Sequence, residues 1–597
     1  MAAVVPIDSK NVVCPPLGES IPFALPHAIT VSLPTWRDNV GYLKGEKRVV
    51  DVMTTGYPRF FIHRSVGKLS SICESKFGLP NERCMLFPKD YIANHFRDFM
   101  IRYSPNRENP LQVRLAVWIA KTEGTPASLL VPEIELHIVL FPSDVFPLAK
   151  QFWQHVGLGI PSRSADAFLA TVDLQGKVSS SANSTSQSTA HIKLDPEELN
   201  DQAPYTEGYC LPMTAESAII AKRTIRHRIA RLVSNNEVFS PPGQDELNMN
   251  APGLGGVSED DVFLFPSGMS AIWTAHQLCL ATSPPSKSVC FGFPYTDTSK
   301  VLEKWGPGYY LFGDSSETSM RELEALLSAP EAPRILALFC EFPSNPLLRS
   351  VDLCRLRAIA DRHDFPIIVD DTIGNFVNVN VLPFVDIVAT SLSKIFSGAA
   401  NILGGSLVLN SKGRHYSALK AKLEEIYEDI YWPEDAIHME RNSRNFVKRV
   451  HIINHNAEAV CDFLHTRMSS PGSIIKNVFY PKWQTRETYD AYKFPVPEGR
   501  GCGNFGGLVS VKFTSEKAAH AFYDALPCAK GPSLGTNFTL TCPYTILGHY
   551  WELEWAAQYG VDEDLVRISV GMEDKETLFS WFKIAFNAAA KAVDKCS

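Results

Sequence analysis

From residue 262 onward the sequence is punctuated by short apolar runs of strand length: Val262 to Phe265, Ser288 to Phe293, Arg334 to Phe339, Pro366 to Asp370, Val385 to Thr390 and Ser406 to Leu409. Between them lie stretches of helical character, Gly268 to Leu280, Met320 to Leu327 and Val351 to His363. Runs of β-branched and aromatic residues with no polar alternation are strands buried on both faces, and strand–helix alternation folds into a mainly parallel sheet covered by helices. In such a sheet, function collects at the carboxyl ends of the strands.

Other segments limit what surrounds this core. Lys177 to Thr189 is serine-rich and reads as a flexible linker within 177–200, leaving 1–176 as an N-terminal extension domain of α/β or α+β type. Its evidence is the alternating Gln112 to Trp118 and the helix-like Pro147 to His155. Ala215 to Leu232 is alanine-rich, basic and helix-prone, and opens a large domain over 201–410. The tail, 411–597, reads as a smaller α+β domain from the strand Leu508 to Phe513, the helix Ser515 to Leu526 and the strand Leu565 to Val570.

The net charge of −8 argues against a general nucleic-acid binder. No apolar window reaches the roughly 18 residues that a membrane helix needs. The first residues lack a basic, then apolar, leader, and the 13 cysteines show no paired spacing. A cytoplasmic protein with reduced thiols, no membrane partner and no metal is the expectation.

Chemistry enters where strands end. Asp386-Ile-Val-Ala-Thr-Ser-Leu-Ser-Lys394 passes from a buried strand into hydroxyls and an amine, and a desolvated lysine in such a place can hold pyridoxal 5′-phosphate (PLP) as a Schiff base. Phe265-Pro-Ser-Gly-Met-Ser-Ala271 joins a strand to a helix, so the amides of Gly268 and Met269 can bind phosphate at the positive helix end, unless the glycine only makes a tight turn. Ser391 and Ser393 add hydroxyls. Pro366-Ile-Ile-Val-Asp-Asp-Thr372 ends a strand in two carboxylates, and Asp370 can pair with a protonated pyridine nitrogen. A Walker-type Mg²⁺ site lacks its phosphate loop here. Tyr295 stands just past a strand, either to stack on a ring and move protons or simply to pack.

These motifs, in this order, resemble the Cys/Met-metabolism PLP-dependent enzymes of aspartate-aminotransferase-like fold (PLP fold type I), and especially the long fungal cystathionine γ-synthases. Glu341-Phe-Pro-Ser-Asn-Pro-Leu-Leu348 resembles the family's E-x-P-S-N-P-L-L, which implies that Asn345 contacts the cofactor's ring hydroxyl. Val566-Arg-Ile-Ser-Val-Gly-Met-Glu-Asp574 resembles R-x-S-V-G-x-E-D, which implies Arg567 as the substrate carboxylate clamp, with Ser533 as a second contact. The same resemblance implies catalytic roles for Lys394, Tyr295 and Asp370, phosphate binding by Gly268, Met269, Ser391 and Ser393, amino-acid substrates, and a homodimer or homotetramer.

It also implies γ-replacement on an O-acyl-L-homoserine, with cysteine as acceptor in methionine biosynthesis or with another nucleophile in specialised metabolism. A catalytically silent scaffold is the reading from another class. The nearest match to the family's Tyr-x-Arg motif ahead of the phosphate loop is Tyr209-Cys-Leu211, which lacks the arginine, and Arg226 or Arg228 are the nearest substitutes. Gly501 to Gly506 spells G-x-G-x-x-G without a preceding strand, and His451 with His455 lacks a third metal ligand.

Overall fold

The structure is a computed structural model that describes residues 14–105, 111–181, 211–234, 256–494 and 504–594. These residues form two compact units. Among them, one draws on 58–105, 111–181, 211–222 and 430–444, the other on 14–57, 223–234, 256–429, 445–494 and 504–594. Most of the Ser-rich linker, from 182, lies outside the described residues; its first part continues the helix Ser162–Ser181. A division of the chain at that linker assigns 14–57 and 430–444 neighbours other than those they pack against here.

In the first unit, β1 (Glu82–Phe87), β2 (Arg114–Lys121) and β3 (Glu133–Pro142) form an antiparallel sheet in the order β1-β3-β2, so this unit is α+β. Its core is aromatic: Phe96 packs against Phe87 at 5.0 Å and Phe152 at 5.2 Å between ring centroids, and all three are buried. The helix Pro433–Ser443 returns to this unit, where Asp435 accepts from Arg163 at 2.8 Å with both side chains buried.

The second unit contains the expected sheet. Its strands are β4 (Val262–Phe265), β5 (Ser288–Phe291), β6 (Tyr309–Phe312), β7 (Leu338–Glu341), β8 (Ile367–Asp370), β9 (Ile387–Thr390) and β10 (Gly405–Leu409). The order is β4-β10-β9-β8-β7-β5-β6, parallel from β9 through β6, with β10 antiparallel to both its neighbours. Five strands were read from sequence within a residue or a few of these limits; Arg334 to Phe339 is shifted, since its first half runs as irregular chain into β7. β6 was missed. It is a four-residue edge strand whose residues are all only half-buried, so it lacks the apolar continuity of the others.

A separate sheet follows in the tail: β11 (Ile475–Phe479), β12 (Leu508–Phe513), β13 (Ala529–Lys530), β14 (Leu540–Pro543) and β15 (Leu565–Ser569), ordered β11-β12-β15-β14-β13. The helices Glu516–Ala525 and Lys575–Asp594 pack together beside it. Residues 14–57 run along this tail. Ile29 N–H donates to Ala400 O at 2.8 Å, Leu33 N–H to Lys530 O at 2.9 Å, and Trp36 N–H to Asp524 at 2.7 Å. The approach needs glycine at 531, because a Cβ there would stand 2.1 Å from Val31 O.

The helix Gly268–Thr282 is buried almost all round, and His276 within it is fully enclosed. Burial pushes its imidazole down from 6.5 to about 4. Below pH 6.5 the unfolded chain binds a proton that the folded protein refuses until about pH 4, so this contribution is whole above 6.5 and is lost as pH falls through that window. The loss is roughly 3 kcal/mol. Urea unfolding followed by circular dichroism at pH 7 and pH 4.5 is expected to show it, and His276→Leu to flatten the dependence.

Candidate active site

Because β5, β7, β8 and β9 run parallel, their carboxyl ends fall along one edge of the sheet. Phe291, Glu341, Asp370 and Thr390 are the last residues of these strands, and the register sets Glu341 beside Asp370 and Asp370 beside Ala389. A cavity on this edge is lined by Phe293, Cys340, Glu341, Ile368, Asp370 and Ala389, among others.

Lys394 follows β9. Its ammonium donates to Ser533 Oγ at 3.0 Å and to the Tyr57 hydroxyl at 3.2 Å, with the Tyr57 ring centroid 4.4 Å away. Ser533 holds a positive φ of 101°, a conformation that costs about 1–3 kcal/mol for a non-glycine residue and persists where surrounding contacts impose it. Those contacts are present: its carbonyl accepts from Arg567 Nη2 at 2.8 Å while its hydroxyl accepts from Lys394. Arg567, buried on β15, also donates through Nη1 to Asn345 Oδ1 at 3.1 Å. The Tyr544 ring covers its guanidinium at 4.7 Å.

Asp370 accepts from Thr372 N–H at 2.9 Å, and Ser391 N–H donates to Thr372 Oγ1 at 2.9 Å. Desolvation raises the Asp370 carboxyl, opposed by the Thr372 bonds and the Lys394 charge. Gly268 meets Ser391: a Cβ on Gly268 would lie 2.7 Å from Ser391 Cβ and 3.1 Å from its Oγ. Ser267 caps the helix, accepting from Ser270 N–H at 3.1 Å, so the helix's first-turn amides at Gly268 and Met269 begin beside Ser391. The Ser393 hydroxyl instead binds Gly404, accepting from its N–H at 2.9 Å and donating to its carbonyl at 3.2 Å. Tyr295 is the N-cap of the helix Thr296–Lys304, and its N–H donates to Glu341 Oε1.

The expected residues thus gather in two groups. Lys394, Ser533, Arg567 and Asn345 form one hydrogen-bonded chain, which Glu341 extends to Tyr295 and, by register, to Asp370. Gly268, Met269 and Ser391 form the other, reached from Asp370 through Thr372. Sequence reading missed Tyr57, Tyr544 and any part for Glu341. For Tyr57 a signal was available, because Tyr57-Pro-Arg59 spells Tyr-x-Arg far upstream of Tyr209-Cys-Leu211. Of Tyr209-Cys-Leu211, residues 209 and 210 lie outside the described residues. Arg59 is buried and donates to Gln154 O at 2.9 Å. Arg226 and Arg228 lie in the helix Ala215–Val233.

Comparison with known proteins identifies the family. A family model described as Cys/Met metabolism PLP-dependent enzyme matches residues 245–587, and another described as fungal trans-sulfuration enzyme, N-terminal domain, matches 65–161. The chain belongs to the Cys/Met-metabolism PLP-dependent enzymes. It is 47% identical to a cystathionine gamma-synthase-like enzyme of Amanita muscaria, over 97% of each chain. It is 41% identical to a cystathionine gamma-synthase of Neurospora crassa, covering 96% of this chain and 98% of that one, and 36% identical to one of Saccharomyces cerevisiae, covering 96% and 99%.

Membership makes the chain a PLP-dependent enzyme of fold type I, and the silent-scaffold reading falls. No helix among the described residues is long and apolar enough to cross a membrane. The residues present fit the cofactor: an amine, a strand-end carboxylate, and a helix start whose glycine leaves no room for a side chain beside Ser391. Gly268→Ala is expected to push that cradle apart and weaken PLP binding about tenfold or more, measured by fluorescence titration of the apoprotein.

Proposed function

We propose that this enzyme catalyses γ-replacement on an O-acyl-L-homoserine, with L-cysteine as acceptor and L-cystathionine as product. The observation that carries the reading is Ser533, which joins the Lys394 amine to the Arg567 guanidinium. An α-amino acid carboxylate gripped by Arg567 brings its Cα toward the only other cationic group of that hydrogen-bonded chain, the lysine. The relatives named cystathionine gamma-synthase support the choice of substrate.

When bound, PLP supplies an electron sink for negative charge at the substrate's α and β carbons. The chain's residues do the rest. Lys394, once free as an amine, takes the proton from Cα, and the Tyr57 hydroxyl 3.2 Å away is placed to exchange protons with it. Asp370, at the end of β8, would hold the cofactor's ring nitrogen in its cationic form; burial raises the carboxyl, opposed by the Thr372 hydrogen bonds and the Lys394 charge. Arg567 fixes the carboxylate through paired N–H groups, and Tyr544 keeps water from the guanidinium's face. Gly268, Met269 and Ser391 would hold the phosphate, Tyr295 would cover the ring face and Asn345 would meet the ring hydroxyl. Ser393 supports this cradle by fixing Gly404. Across the reaction the Cγ–oxygen bond to the acyloxy group breaks, the Cγ–sulfur bond to cysteine forms, and the carboxylic acid leaves.

A second acceptor, such as a carbon nucleophile in specialised metabolism, is the alternative, because the Amanita muscaria relative, more identical to this chain than the two synthases, is named only synthase-like, which leaves its acceptor open. A cytoplasmic homodimer or homotetramer acting in methionine biosynthesis completes the first reading. Mass spectrometry of O-acetyl- and O-succinyl-homoserine with cysteine and a panel of thiols and carbon nucleophiles decides between them. Cystathionine is the expected product; acyl acid released without it overturns cysteine as acceptor. Arg567→Ala is expected to raise KM for the acyl-homoserine by about 100-fold through loss of a bidentate carboxylate contact.

A further inference from the structure

Glu341 terminates β7 directly opposite Asp370 on β8. Both carboxylates line the strand-end cavity. The two oxygens of Glu341 are divided between two loops: Oε1 accepts from Tyr295 N–H at 2.5 Å, and Oε2 accepts from Asn345 N–H at 3.0 Å. Tyr295 lies at the start of the helix that follows β5, and Asn345 in the loop that follows β7. Asn345 in turn presents its side-chain oxygen to Arg567 at 3.1 Å. One carboxylate therefore sets the spacing between the tyrosine of the ring face and the asparagine that reaches the carboxylate clamp.

Placing this group beside Asp370 is costly, since burial and the like charge next to it both push the Glu341 carboxyl up. The two amide bonds oppose that rise. A merely structural acceptor for two loop amides could be a neutral carbonyl, which carries no such electrostatic cost. A carboxylate at this place does what a carbonyl cannot: it gives each loop amide a separate oxygen and sets the charge next to Asp370.

We infer that Glu341 is a positioning residue of this enzyme, holding Tyr295 and Asn345 in register across the cofactor's place and tuning the carboxylate beside it. The inference rests on the cofactor placement proposed above. Glu341→Gln keeps the volume but turns an N–H₂ group toward one of the two N–H donors, and Glu341→Asp keeps the charge on a shorter arm.

The test titrates each apoprotein with PLP by fluorescence and follows the visible absorbance of the bound cofactor against pH. Glu341→Gln is expected to bind PLP about tenfold or more weakly, as for loss of one charge-assisted hydrogen bond, and to shift the midpoint of the absorbance titration. Glu341→Asp is expected to bind weakly yet titrate near the wild-type midpoint. Wild-type affinity and midpoint in Glu341→Gln overturn the inference. So does a weaker affinity that tracks a lower melting temperature of the apoprotein with an unmoved midpoint. If Glu341→Gln does not fold, wild-type affinity in Glu341→Asp overturns it. A wild-type protein that binds no PLP overturns the cofactor placement instead.

Discussion

The parallel hydrogen-bond ladder of β5, β7, β8 and β9 is the constraint from which the site follows. Parallel register brings residues far apart in sequence to equivalent heights, so Glu341, Asp370 and Thr390 arrive at the same edge without any contact between their side chains being required. The interior of each strand is apolar because both faces are covered, and the polar residues begin where the covering ends. Buried hydrophobic strands thus hold several costly polar groups within reach of one another.

The tail domain adds what the parallel sheet cannot. Arg567 sits in the middle of an antiparallel strand, paired on both sides with β12 and β14, so its backbone is held firmly. Its guanidinium is then directed by three neighbours of different kinds: an amide oxygen, a backbone carbonyl and an aromatic face. The strained backbone of Ser533 is stabilised by the contacts that place it between the lysine and the arginine.

How legible this was in the sequence depended on how local each signal is. β9 and the Lys394 turn were legible because a change from apolar to hydroxyl residues is contained within a few positions. The capped helix start at Gly268 was legible for the same reason. β6 was not, since an edge strand of half-buried aromatics has no periodic pattern over four residues. Tyr57 and the course of residues 14–57 were not, because their partners lie hundreds of positions away and no local pattern encodes them. Glu341 was visible within its motif, yet its two amide donors come from separate loops, so only the folded register shows what it binds. Ser393 reads as another phosphate hydroxyl by position, whereas its hydrogen bonds are spent on Gly404.

The course of residues 14–57 also bears on how the molecule comes into being on the ribosome. Thr30 hydrogen-bonds to Pro532, 502 positions later, and Tyr57 meets Lys394 across 337 positions. At about 5–20 residues per second, the earlier-made segment waits roughly 25–100 s for the last of these partners to be synthesised. Whatever holds that segment in the meantime, whether a chaperone or transient non-native contacts, acts on the part of the chain that brings a hydroxyl to the lysine. The site is begun when Tyr57 is made and can be closed only once Ser533 and Arg567 have followed.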